Sequence, residues 1–204
     1  MNDYILNELI KLIPSPVCEL TYNKDYELLL KVMLSARTTD KIVNKVMNPI
    51  FEKYDSLEKL NNIPLKELEK YLKPIGTYKV KAKRFKEIVS ILLPINKVPN
   101  DEEFLLTLPG VGRKTINVVL SNLYGTDRVA VDTHVERVSK RLGLAFINDT
   151  PLKVENKLTK KYKNNLKDLH NRLVLFGRYT CTSKKPKCKE CPFIDICKEK
   201  NKNL

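Results

Sequence analysis

The chain has 204 residues, a net charge of +14 and a hydrophobic fraction of 42%. These values are typical of a folded chain with one domain or two small ones, and they exclude general disorder. No run approaches the ~18 apolar residues that a membrane helix needs. The N-terminal segment lacks the basic start and small-residue cleavage site of a secretory signal. We therefore expect an intracellular, soluble protein with no membrane partner.

Apolar residues recur at three- and four-residue spacing along most of the chain. This periodicity predicts helices over 24–36, 41–54, 65–72, 79–93, 113–125, 132–142, 152–162 and 166–176. Asn23 and Thr39 are expected to cap the first two of these helices. One strand-like run, residues 128–135, cannot make a sheet by itself. The predicted fold class is therefore all-α.

Residues 107–115, with the sequence TLPGVGRKT, predict a helix, a tight turn and a second helix. Gly110 and Gly112 would let backbone N–H groups approach an anion, and the N-terminus of the second helix would add positive potential. The pattern also fits an ordinary helix–helix connection. Arg113 and Lys114 directly after the turn favour a phosphate-binding hairpin.

A second polar motif, VDTH at 131–134, follows about 20 residues downstream of the hairpin. It places a carboxylate, Asp132, close to an imidazole, His134. An aspartate that caps a helix beside a surface histidine would give the same pattern. The pattern alone does not separate a catalytic role from a structural one.

Four of the five cysteines fall within 17 residues near the C-terminal end of the chain: Cys181, Cys188, Cys191 and Cys197. The C-x6-C-x2-C-x5-C spacing in a reducing compartment favours metal ligation over disulfide bonds. Only one of the pairs is tight, which favours an iron–sulfur cluster modestly over zinc. Lys184 and Lys185 lie between the first two cysteines and predict a phosphate clamp.

Positive charge is concentrated in the same part of the chain. Residues 151–204 hold 15 Lys and Arg against 5 Asp and Glu, whereas residues 1–150 hold 23 against 19. Such an asymmetry indicates a polyanionic partner, most often nucleic acid. A solvated lysine-rich surface is the alternative, and charge alone does not choose between the two.

Several motifs in one register resemble the endonuclease III family of helix-hairpin-helix DNA glycosylases. They are LLLKVMLSARTTD at 28–40, IGTYKVKA at 75–82, LPGVGRKT at 108–115, VAVDTHVERV at 129–138 and FGRYTC at 176–181, followed by the cysteines. The resemblance runs from about residue 4 to residue 198. It implies an all-α, two-lobed helix-hairpin-helix DNA glycosylase fold. The lobes would be 18–126, with the hairpin, and 1–17 together with 127–204, with the iron–sulfur cluster loop 181–197.

The resemblance also implies a bifunctional DNA glycosylase/AP lyase of base excision repair that removes oxidised pyrimidines. Lys114 matches the nucleophile that forms a Schiff base and nicks the abasic site by β-elimination, and Asp132 matches the catalytic carboxylate. The four clustered cysteines match the ligands of a [4Fe–4S] cluster. The implied partner is double-stranded DNA with damaged bases or abasic sites, bound by a monomer in the cytoplasm at the nucleoid.

In the family, DNA lies across the cleft between the lobes. The residues of this chain expected to contact it are Gly110, Gly112, Arg113, Arg37, Ile75, Thr77, His134, Lys184 and Lys185. Arg37 and Thr77 depart from the family pattern, in which many members have Gln and Leu. Both match positions that fill the gap left by the flipped nucleotide and probe the orphaned base. A guanidinium pairs better with guanine than with adenine, so we expect a preference for lesions opposite guanine.

Two other functions fit part of this sequence. An adenine-specific, monofunctional glycosylase of the same superfamily would share the hairpin, the aspartate and the cluster. Such an enzyme lacks a lysine at the position of Lys114 and has a long C-terminal recognition domain, which we do not expect here. A non-catalytic DNA-binding module is the second alternative, and the presence of both Lys114 and Asp132 argues against it.

Overall fold

The structure, a computed structural model, describes residues 2–204, with side chains from Tyr4 onward. Over this range it is all-helical and contains no strand, which confirms the predicted fold class. None of the described helices is long and apolar enough to cross a membrane. In chain order the helices are α1 (Asn2–Leu12), α2 (Asp25–Leu34), α3 (Asp40–Lys53), α4 (Leu57–Asn62), α5 (Leu65–Leu72), α6 (Tyr78–Leu92), α7 (Glu102–Thr107), α8 (Arg113–Tyr124), α9 (Thr133–Arg141), α10 (Pro151–Tyr162) and α11 (Leu166–Tyr179).

The chain divides into two compact units, Cys18–Tyr124 and Met1–Val17 with Gly125–Leu204. In the first unit α2 is the central helix, because every residue from Tyr26 to Leu34 is buried. Helices α3, α6 and α8 pack against it. An almost unbroken apolar sequence, YELLLKVML, explains this position, since a helix that is apolar all round must be covered on every side.

The second unit is built around α11, which packs against α1, α9 and α10. Gly177 allows the close approach of α11 to α9, because a Cβ at this position would lie only 2.9 Å from the Cβ of His134. Phe193 from the C-terminal segment enters the same core and meets Phe176 edge to face, with ring centroids 5.3 Å apart. The helix that precedes the cysteines is therefore fixed on both sides.

The two predicted caps have different outcomes. Thr39 caps α3 as predicted, and its hydroxyl accepts a hydrogen bond from the N–H of Ile42 at 3.4 Å. The Asn23 prediction is wrong, since Lys24 is the N-cap of α2 and makes no side-chain cap bond. Instead, Glu27 in the first turn of α2 reaches back and accepts from the N–H of Asn23 at 2.8 Å.

Candidate functional site

Residues 108–112, the hairpin turn, connect α7 to α8. The turn is closed by a hydrogen bond from the N–H of Val111 to the carbonyl of Leu108 at 3.1 Å, and both side chains are buried. Gly110 has φ +79°, in the left-handed region that favours glycine. Gly112 has no atom within 4 Å of where a Cβ would lie, so the turn is open on that side. A helix, a tight turn and a second helix are present where the sequence predicts them.

Lys114 is the second residue of α8 and is exposed. Among the described residues its amine makes no hydrogen bond or ion pair, and the first turn of α8 contains no acidic residue. Residues 115–121 of the same helix are buried and fix its position in the unit. Arg113 beside it is exposed as well. The arrangement presents an available amine at the positive end of a rigidly packed helix.

Asp132 is the N-cap of α9 and is half-buried. Its Oδ1 accepts hydrogen bonds from the N–H groups of His134 at 2.9 Å and Val135 at 2.8 Å. Its other oxygen, Oδ2, accepts none from the residues that the structure describes. The cap thus orients the carboxylate through one oxygen and leaves the second available. The structural and the catalytic interpretations of this motif are therefore compatible.

Two residues that the sequence analysis did not identify hold this region in place. His170 on α11 lies with Nδ1 2.8 Å from the carbonyl of Ala130, in the extended segment that precedes Asp132. Arg137 on α9 donates from Nη2 to the carbonyl of Gly177 at 2.8 Å and from Nε to that of Cys181 at 3.1 Å. His170 belongs to no recognisable motif. Arg137 lies within the VAVDTHVERV match, which is the one signal that could have drawn attention to it.

His134 lies half-buried on the first turn of α9, with Nδ1 3.3 Å from Nη2 of Arg137. Burial lowers the pKa of His134, and the positive charges of Arg137 and Arg178 lower it further, against an opposing effect of Asp132. The imidazole is therefore neutral at pH 7 and suited to donate or accept a hydrogen bond.

Arg37 and Thr77 are both exposed and both have left-handed backbones, with φ +57° and +56°. The loops that contain them lie together, since a Cβ on Gly76 would be 3.8 Å from the Arg37 carbonyl. Buried Lys81 holds the first loop, because its amine donates to the carbonyls of Leu34 at 2.8 Å and Ala36 at 2.6 Å.

Ile75, two residues before Thr77, is only 1% exposed. Its side chain is a core residue rather than a surface contact, although the sequence analysis placed it at the DNA. The predicted DNA-contact set therefore mixes exposed side chains with a residue that anchors its loop.

Residues 181–197, the four-cysteine segment, contain no helix. All four thiols are free of disulfide bonds and line one cavity together with Phe176 and Ile194. Burial raises the pKa of Cys191, and the charges of the other three cysteines raise it further. Among the described residues, no three His, Cys, Asp or Glu side chains are close enough together to hold a metal ion.

Basic residues surround this segment. Arg141 on α9 donates to the sulfur of Cys181 at 3.4 Å and to the carbonyl of Thr182 at 2.8 Å. Lys184 and Lys185 are exposed and make no hydrogen bond or ion pair within the described range. Arginines therefore fix the segment from within, whereas these two lysines face solvent.

Comparison with known proteins agrees with this geometry. Residues 30–164 match the family model of the HhH-GPD superfamily base excision DNA repair proteins. Endonuclease III of Bacillus subtilis (strain 168) is 42% identical over 203 residues, covering 98% of this chain and 93% of the relative. Endonuclease III of Escherichia coli (strain K12) is 39% identical over 201 residues, covering 97% and 95%.

Two solved structures are also similar to this chain. A non-covalent complex of endonuclease III with DNA superposes with a TM-score of 0.90 at 43% identity, covering 96% of this chain and 93% of that one. A trapped covalent intermediate of endonuclease III with DNA, an estranged-adenine complex, gives a TM-score of 0.90 at 42% identity, with coverages of 98% and 96%. The chain therefore belongs to the endonuclease III family of DNA N-glycosylases and AP lyases, within the HhH-GPD superfamily of base excision DNA repair proteins.

Proposed function

We propose that the protein removes damaged bases, oxidised pyrimidines among them, from double-stranded DNA and then nicks the abasic site through a lysine Schiff base. The observation that carries this proposal is the exposed, unpartnered amine of Lys114 at the start of the second hairpin helix. A similar endonuclease III has been trapped as a covalent intermediate with DNA. A covalent intermediate needs a nucleophile on the protein, and Lys114 supplies one.

In the proposed reaction, the neutral amine of Lys114 attacks C1′ of the damaged nucleotide and the base leaves. The sugar ring then opens at the bond between C1′ and the ring oxygen, which gives a Schiff base between C1′ and the lysine nitrogen. The Schiff base permits β-elimination of the 3′ phosphate. Hydrolysis of the Schiff base then releases the enzyme. Asp132 would act through Oδ2, which the helix cap leaves available, by stabilising the positive charge that develops on the sugar.

We expect the hairpin turn and the exposed cations around it to contact the DNA backbone. The open turn at Gly110 and Gly112 offers backbone N–H groups to a phosphate, and Arg113 adds charge. His134 would hydrogen-bond a phosphate near the damaged nucleotide. Arg37 and Thr77, the two exposed residues with left-handed backbone conformations, would face the base that has lost its partner. The protein would act as a monomer, in the cytoplasm at the nucleoid.

The four-cysteine segment fits a [4Fe–4S] cluster better than zinc. A four-cysteine zinc site usually has two tight pairs of cysteines, and only Cys188 and Cys191 form such a pair here. In a four-iron cluster each thiolate binds its own iron, so four thiols around one cavity satisfy it. Cys181, Cys188, Cys191 and Cys197 would hold the cluster, which would cross-link the segment and leave base removal to Lys114 and Asp132.

Borohydride reduction in the presence of an abasic oligonucleotide tests the proposal directly. A Schiff base is reduced to a stable amine, so a lyase leaves a covalent protein–DNA adduct on a denaturing gel. We expect the adduct with this protein, together with strand cleavage in the absence of borohydride. Base release from a duplex that contains an oxidised pyrimidine, without an adduct or cleavage on the abasic oligonucleotide, would identify a monofunctional glycosylase. Neither activity would indicate a DNA-binding module.

A further inference from the structure

Arg84 on α6 lies directly against the hairpin turn. A Cβ added to Gly110 would be 2.8 Å from Cδ of Arg84, 3.2 Å from Nη1 and 3.3 Å from Nε. These distances place the end of the arginine side chain in van der Waals contact with the Cα of Gly110. Both residues belong to the Cys18–Tyr124 unit. The contact joins residues 26 positions apart in the sequence, in two different elements.

The guanidinium of Arg84 has no internal role in the described part of the chain. Arg84 is exposed and makes no hydrogen bond or ion pair there. Two lysines on the same helix differ from it, since Lys81 donates to the carbonyl of Leu34 and Lys86 to that of Asn61. Those cations satisfy backbone groups inside the unit. Arg84 instead keeps five N–H donors available beside an open turn that leads into the positive N-terminal end of α8.

We propose that Arg84 is a DNA-backbone contact, which supplies a side-chain clamp to the phosphate that the hairpin holds through its N–H groups. A guanidinium binds a phosphodiester through two parallel, charge-assisted hydrogen bonds, which a lysine cannot match. Backbone donors from the turn and the fork of Arg84 would bind different oxygens of one phosphate, or two successive phosphates. This inference rests on the proposed function, because it takes DNA as the ligand.

Gly110 gains a second role from this contact. Its positive φ already favours glycine, and the absence of a Cβ also makes room for the Arg84 side chain. An alanine at this position would displace Arg84 from the turn as well as strain the backbone. Gly110→Ala and Arg84→Gln should therefore remove the same phosphate contact.

The test is the salt dependence of binding to a duplex that contains an abasic-site analogue. In Arg84→Gln, the slope of log K against log salt should become shallower by about 0.9, the value for one lost phosphate contact. The control is Lys66→Gln on α5, which removes the same charge from another exposed position and should keep the parent slope. Melting curves should be unchanged for both variants because both side chains are exposed.

A double variant completes the test. If Arg84 clamps the hairpin phosphate, adding Gly110→Ala to Arg84→Gln should cause no further change in slope. Identical slopes for the parent and Arg84→Gln, with the parent binding normally, would overturn the assignment of Arg84 alone. A parent that binds the duplex no better than a basic protein of unrelated fold would overturn the proposed function, and this inference with it.

Discussion

The hairpin turn and the four-cysteine segment are both irregular in backbone, but they are held in place by different means. Leu105, Leu108, Val111 and Ile116 are all buried around the hairpin turn. Along the four-cysteine segment, the apolar anchors are Phe193, buried Pro186 and the thiols themselves. Apolar burial therefore stabilises the first region, whereas the second combines the burial of Phe193 with arginine contacts and with whatever its thiols bind.

The proposed nucleophile, Lys114, and the proposed cluster ligands therefore lie in regions that are stabilised by different means. The hairpin can present Lys114 to solvent because buried neighbours on the same helix fix its backbone. We expect the four-cysteine segment to hold Lys184 and Lys185 in a fixed position only when its thiols bind the proposed cluster. Substitution of an exposed residue in the hairpin should therefore change activity alone, whereas substitution of a thiol should change folding.

The largest expected effect is the loss of covalent chemistry in Lys114→Gln. The variant should give no borohydride adduct and no strand nicking, because one amine supplies the covalent step. Duplex affinity should stay close to that of the parent, since many cations share the phosphate contacts. The measurement is a trapping gel alongside a binding titration, with Lys66→Gln as the charge-matched control. Undiminished trapping would show that another amine is the nucleophile.

Cys188→Ser should abolish iron binding, with loss of the broad visible absorbance of the purified protein. The segment should also lose order, because metal binding and folding are coupled in such loops. Amide exchange should become fast in residues 181–197 and remain slow in Leu105 and Ile116, which apolar contacts hold. Cys18→Ser, outside the segment, is the matched control and should keep its iron. Loss of protection in both regions together would show that the hairpin turn and the four-cysteine segment are not stabilised independently.

Asp132→Asn should slow base release by about 10²- to 10³-fold, the usual effect of removing one electrostatic group from an active site. Its stability should remain close to that of the parent, because an asparagine oxygen caps a helix as well as an aspartate oxygen does. Asp132→Ala should lose the cap as well, at about 0.5–2 kcal/mol of unfolding free energy. Single-turnover rates and denaturant titrations measure the two roles separately. Parental rates in Asp132→Asn would leave Asp132 with the cap alone.

The cap role and the proposed catalytic role of Asp132 show where sequence interpretation reaches its limit. The sequence identified the residue, because helix caps and catalytic carboxylates use the same side chain. It could not show that one oxygen performs the first role and leaves the other oxygen available, which depends on atomic geometry. Arg84 was missed entirely, because its contact with Gly110 arises from packing between elements distant in the chain.

The helices show a similar limit. Strong apolar periodicity predicted α5 at its observed bounds, 65–72, where Pro64 immediately precedes the helix. The six residues of α4 are too few for a periodic pattern, and α1 was not predicted either. The Asn23 cap was wrong because α2 begins one residue later than that cap requires, at Asp25 after Lys24. Short elements and the exact ends of helices were therefore the features that periodicity could not predict.

The smallest expected effect comes from the exposed lysines of the four-cysteine segment. Lys184→Ala with Lys185→Ala should leave iron content unchanged, because neither side chain lies among the residues that line the thiol cavity. If each lysine neutralises one phosphate, the slope of log K against log salt should become shallower by about 1.8. Between about 50 and 200 mM salt, the factor by which affinity falls would then be about twelve times smaller for the variant than for the parent. Repeating the titration with single-stranded DNA separates backbone contacts, which persist there, from contacts that need a bent duplex. A parental slope with iron retained would show that this loop, although cross-linked, does not face the DNA.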